Sequence, residues 1–146
     1  MTDLRARLLD AAIALMTDGE EPTLRAVARR AGVSAMAPYR HFIDRDALVD
    51  AAAVSGLYLL KAALRGGADG PIVGIVRFAI ARPVVARLLL DTPAGRAGLD
   101  DLLGGAEPAR TQRLALVFGL VRLVLAGDGE RALAAVRTGG AGGGDA

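Results

Sequence analysis

Apolar side chains recur along this chain at three- and four-residue intervals, the spacing of one buried face of an α-helix. Leu4, Leu8, Ala12 and Leu15 mark a first helix over residues 3–17, which Asp18 and Gly19 close. Leu24, Val27, Ala28 and Ala31 mark a second helix, preceded by Pro22 and by Thr23, a residue suited to cap it. Gly32 follows one residue past Ala31, where a positive φ ends a helix and turns the chain without a Cβ clash. Val33 then plugs the core beneath the turn. Ser34 is placed to cap a third helix through Ala35, Met36, Ala37, Pro38, Tyr39 and Arg40. Pro38 falls four residues after that cap, so its cost to the helix is below the ~3 kcal/mol of a helix-interior proline. Asp44 caps a fourth helix, which Leu48 and Val49 lead into an alanine-rich stretch ending at Leu64.

Residues 66–71 break the periodicity and separate a head from a body. The pattern predicts two strongly apolar body helices over 72–90 and 110–126, with a Gly/Pro-containing segment at 92–108 that has room for a short helix. A last short helix covers 130–137. The expected organisation is all-α: a three-helix head at residues 1–50, a small helical bundle at 51–138, and a disordered glycine-rich tail at 139–146. In the second apolar helix Leu114, Val117, Phe118, Val121, Val124 and Leu125 fill one face, while Leu116, Leu120 and Leu123 make the other apolar too. Such a helix is covered on both sides, by its own bundle or by a second subunit, and a symmetric homodimer is the commonest solution.

Charge sharpens the reading of the head. Between Pro22 and Ile43 stand Arg25, Arg29, Arg30 and Arg40 with no acidic residue, although the first fifty residues as a whole carry seven arginines against eight acids. Basicity is therefore local, which suits docking of one patch on a polyanion more than general coating of nucleic acid. Two short helices around a glycine turn, with a purely cationic surface, are the layout of a DNA-reading helix-turn-helix. A solvated arginine face on an ordinary helical hairpin is the alternative.

From Leu4 to Ala53 the chain resembles the N-terminal DNA-binding domain of the TetR family of transcriptional repressors. The resemblance rests on an amphipathic first helix (Leu8 to Leu15), Gly19, Thr23, the run Ala-Gly-Val-Ser from Ala31 to Ser34, the run Tyr-Arg-His-Phe from Tyr39 to Phe42, Arg45 and Leu48. The position before the tyrosine is usually a core-facing aliphatic in the family and is Pro38 here. The resemblance implies that Ala35, Met36, Ala37, Tyr39 and Arg40 lie on the recognition element in the major groove. Thr23, Arg25, Ser34, Tyr39, His41 and Arg45 would hold phosphates, fixing register without reading sequence. Small side chains at 35–37 offer few hydrogen bonds, which leaves specificity to Arg40, to thymine-methyl contacts from alanine or Met36, and to DNA shape. The resemblance also implies a homodimer on a palindromic operator and a small hydrophobic ligand in the body. Tyr58, Phe78, Phe118 and Arg122 are the candidate pocket residues, although apolar positions at helical spacing are core by default. The body is shorter than the family norm, so a protein of this fold without ligand control is the alternative.

Other classes of function fit less well. The chain has 146 residues, 53% of them hydrophobic, ample for a packed core. No cysteine supports a disulfide or a thiolate, and one histidine is too few for a multi-histidine metal site. There is no paired-carboxylate, nucleophile–base or phosphate-loop arrangement, so neither catalysis nor a cofactor is expected. Asp3, Arg5, Arg7 and Asp10 interrupt the start where a signal peptide would be apolar, and Arg77, Arg82 and Arg87 interrupt the most apolar stretch, so a cytoplasmic protein without a membrane span is expected.

Overall fold

A computed structural model describes residues 3–68 and 70–139, folded as eight α-helices and one short 3-10 turn among the described residues. The head begins with α1 (Leu4–Thr17), capped by the Asp3 carboxylate, which accepts from the Arg5 N–H at 3.3 Å. Leu8, Ala12 and Leu15 are buried along it, joined by Leu9 and Ala11. Next, α2 (Leu24–Ala31) starts where the Thr23 hydroxyl accepts the Ala26 N–H at 3.1 Å. It stops at Gly32, whose φ of 68° lies in the left-handed region, as the glycine turn requires. An Arg7 guanidinium N–H donates to the Ala31 carbonyl at 2.7 Å and ties α1 to this turn.

The expected third helix is not an α-helix. Residues 35–37 form turns, and a single 3-10 turn covers Pro38–Arg40. An α-helix from Ser34 needs an N–H at position 38 to bond the Ser34 carbonyl, and proline has none. Instead Ala37 N–H donates to Ser34 O at 3.0 Å, Arg40 N–H to Ala37 O at 3.3 Å and His41 N–H to Pro38 O at 2.9 Å, each spanning three residues. The Ser34 side chain caps nothing. The Pro38 ring is fully buried, so it takes the core place the family gives to an aliphatic. The proline changes the helix type and keeps the packing.

Helix α3 (Arg45–Arg65) is the axis of the molecule. The Asp44 carboxylate caps it, accepting from Ala47 N–H at 2.8 Å. By length and hydropathy it could cross a bilayer, and its two ends pack into two different cores. Leu48, Ala52 and Ala53 are buried with α1, α2 and Phe42, while Leu57 and Leu60 are buried in the body. The helix itself runs unbroken through residue 50.

The body contains α4 (Pro71–Ala81), α5 (Pro83–Asp91), α6 (Pro93–Leu103), α7 (Ala109–Leu125) and α8 (Gly129–Gly139). The single helix expected over 72–90 is two helices. Pro83 lacks the N–H that would continue the ladder, and Arg82 before it is pushed out of the helical region to φ −138°, ψ 65°. Pro71, Pro83 and Pro93 each sit in the first turn of a helix, where no N–H partner is lost. The segment at 92–108 likewise holds a full three-turn helix, α6, capped by the buried Thr92 hydroxyl, which accepts from Gly95 N–H at 3.0 Å. A Cβ on Gly95 would stand 2.5 Å from the Leu89 Cα, so the absence of a side chain sets how closely α6 meets α5. Residues 140–146, the greater part of the expected tail, lie outside the described residues; Gly139 closes α8.

The second apolar face of α7 is largely covered within the chain. Leu120 is buried and Leu123 partly so, whereas Leu116 remains 49% exposed and Gly119 has open space above it. The two cores meet through Leu88 of α5, which packs in the head cluster while its neighbours Leu89 and Leu90 pack in the body cluster.

Candidate nucleic-acid interface

The head holds its turn rigidly from beneath. Leu24, Val27 and Ala28 of α2, Pro38 of the 3-10 turn, and Phe42 are buried, and the Arg5 guanidinium lies 5.5 Å from the centre of the Phe42 ring. Above this base the residues from 33 to 41 are mostly exposed. Ser34, Ala35, Met36, Tyr39, Arg40 and His41 face solvent and Ala37 is half-buried. Met36 is 68% and Tyr39 52% exposed, and Ile43, beside the buried Phe42, reaches 86%. The expected recognition residues thus lie on one short exposed stretch, which offers methyl, thioether and aromatic surface with Arg40 as its cation.

The arginines divide into free and paired. Among the described residues Arg25, Arg29 and Arg40 make no ion pair and are exposed, so their guanidinium groups can meet phosphates without losing a partner. Arg30 is held by Asp18 at 2.7 Å. Arg45, expected to hold a phosphate, is bonded to Glu21 at 3.1 Å and Asp46 at 3.4 Å, so a phosphate competes there with two carboxylates. The hydroxyl of Thr23 spends its oxygen on the cap but keeps its proton to donate. His41 caps the 3-10 turn through its backbone N–H, and its ring is exposed beside Phe42. Arg29 joins Arg25 as an exposed cation on α2, and its place in the acid-free run and its lack of a carboxylate at helical spacing are the sequence signals for it.

The four candidate pocket residues are not brought together. Tyr58 is 68% exposed and borders a shallow cleft between α1 and α3 with Asp3, Arg5 and Val54. Phe78 is buried in the body core, between a void of about 10 Å³ and a groove of about 510 Å³ along α3 and α4. Phe118 is half-buried, and Arg122 is exposed in a surface groove with Arg87 and Asp91. Helical periodicity assigns a residue to a face but says nothing of which element covers that face; here Phe78 and Phe118 share the body core, while Tyr58 and Arg122 lie on separate surfaces.

Comparison with known proteins agrees with the geometry of the head. Residues 8–52 match the family described as bacterial regulatory proteins, tetR family. No curated protein matches the chain. A solved structure, that of a protein with unknown function from Rhodococcus sp. RHA1, is similar with a TM-score of 0.64 and 28% identity, over 93% of this chain and 92% of that one. The matched segment begins at the buried Leu8 and ends at the buried Ala52, so it covers the braced turn and its supporting helices together. Residues 8–52 are therefore a helix-turn-helix domain of the tetR family type, which supports a DNA-binding transcriptional regulator.

Proposed function

We propose that this regulator acts as a repressor, and that it does so as a cytoplasmic homodimer whose two heads occupy the half-sites of a palindromic operator. The observation that carries the reading is the exposed, acid-free stretch from Thr23 to Phe42, with Arg25, Arg29 and Arg40 unpaired above a buried base. Residues 34–40 enter the major groove, Arg40 contacts the operator directly, and Thr23, Arg25, Ser34, Tyr39, His41 and Arg45 hold the flanking phosphates. Met36 and the alanines beside it meet thymine methyl groups. A dimer joins through α7 and α8, where half-exposed Leu116 stands beside the open surface at Gly119, and a second helix can approach closely.

A small hydrophobic ligand releases the operator in this reading. Phe78 and Val121 border a void of only about 10 Å³, which favours a site other than the body interior for that ligand, or a regulator that works without one. A reporter gene placed behind a bound operator tests the repressor assignment. Transcription falls when the protein is present if the reading holds, and rises or stays constant if it does not.

A further inference from the structure

Ala35 and Met36 are exposed on the recognition turn, and Ala37 is half-buried beside them. None of the three side chains carries an N–H, an O–H or a carbonyl group; Met36 ends in a thioether, a weak acceptor and no donor. Met36 is 68% exposed, so its apolar surface adds little to the fold. The polar groups of the same stretch discriminate differently. The Ser34 hydroxyl both donates and accepts, so it meets either kind of base edge. Arg40 only donates, which suits the O6 and N7 acceptors of guanine. Among the described residues Arg25, Arg29 and Arg40 of this head make no ion pair, and such cations beside an apolar patch complement duplex DNA more than an apolar protein surface.

In the major groove thymine differs from cytosine in two ways: a carbonyl oxygen replaces an amino group, and a methyl group stands on C5. A side chain without strong hydrogen-bonding groups senses the methyl and is nearly blind to the other difference. Cytosine methylated at C5 presents the same methyl at the same edge, whereas uracil and plain cytosine do not. We propose that Met36, flanked by Ala35, reads the C5 methyl itself, so that methylation of a cytosine in the operator strengthens binding of this protein. The proposal rests on the DNA-binding reading above. A methyl group covered by Met36 leaves water, which tightens binding about fourfold. Two half-sites in a dimer raise this to about fifteenfold. A C–G step methylated at its cytosine offers a methyl for Met36 together with the guanine acceptors that suit Arg40.

Selection of duplexes from a random library by the full chain at physiological salt supplies a bound sequence. That duplex is then synthesised with single changes in each half-site, deoxyuridine for thymidine or 5-methyldeoxycytidine for deoxycytidine, each of which alters one methyl group and no hydrogen bond. Fluorescence anisotropy measures the affinity of each duplex. At one position or more in each half-site, loss of the thymine methyl is expected to weaken binding about fourfold, and a C·G pair placed there is expected to gain about fourfold on methylation. Met36→Ala, at an exposed position, is expected to bring both differences below about twofold with thermal unfolding unchanged. Met36→Leu, which keeps the apolar surface, is expected to retain them. Equal binding of thymine and uracil duplexes at every position, no gain on cytosine methylation, or a methyl preference that survives Met36→Ala overturns methyl reading and leaves DNA recognition standing. Selection of no sequence at all refutes DNA recognition and overturns methyl reading with it.

Discussion

The contrast between Arg40 and Arg30 gives the sharpest prediction about the interface. Both are exposed arginines near the glycine turn, yet Arg40 makes no ion pair and Arg30 is bound to Asp18 at 2.7 Å. Arg40→Ala removes a guanidinium that is free to meet DNA, at a cost of about 1 to 3 kcal/mol per half-site. Two half-sites in a dimer make this about 2 to 6 kcal/mol, or a loss of operator affinity from about thirtyfold upward. If the lost contact is to phosphate, the slope of log affinity against log salt also falls by about 1 per half-site. Arg30→Ala removes a charge already neutralised within the protein, and exposed pairs of this kind contribute about 0.2–1 kcal/mol to stability. Its effect on operator affinity is therefore expected to stay below about threefold. Fluorescence anisotropy on a labelled operator at several salt concentrations reads both quantities, and thermal unfolding shows that neither variant has lost its fold. Equal losses from the two substitutions would mean that bulk positive charge, and not the docking of this turn, holds the DNA.

Three further predictions concern the scaffold. Leu88→Ala opens a cavity between the two cores and is expected to cost about 2 to 5 kcal/mol, with head and body still melting in one transition by calorimetry; two separate transitions would contradict the shared core. Gly32→Ala places a Cβ at φ 68° with no atom within 4 Å, so only backbone strain is added, and urea unfolding is expected to register a loss of about 1 kcal/mol; no loss would mean that the turn adapts. Leu116→Arg puts a charge on the proposed subunit contact, and sedimentation equilibrium is expected to shift from dimer to monomer with parallel loss of operator binding; an unchanged mass would place the dimer contact elsewhere.

Local chemistry made much of the head legible in the sequence. The caps at Thr23 and Asp44 and the turn at Gly32 depend on one or two residues each, and all stand where the residue types require them. Two departures come from proline. Position 38 keeps its buried place but converts an α-helix to a 3-10 turn, and position 83 divides an apolar run that hydrophobicity alone joins. What periodicity cannot carry is the identity of the neighbour. Phe78 and Phe118 meet in the body core, whereas Tyr58 and Arg122 lie on separate surfaces, a division that helical spacing does not show. The paired state of Arg45 has the same origin, since Glu21 reaches it across the fold.

The central claim is sequence-specific DNA recognition by the stretch from Thr23 to Phe42. The most direct test is sequencing of genomic DNA fragments enriched by the purified protein at physiological salt, because low salt inflates non-specific binding. The account predicts enrichment of a short inverted repeat with half-sites about one helical turn apart or a multiple of it, lost in the Arg40→Ala variant. A folded protein that enriches no sequence would contradict it.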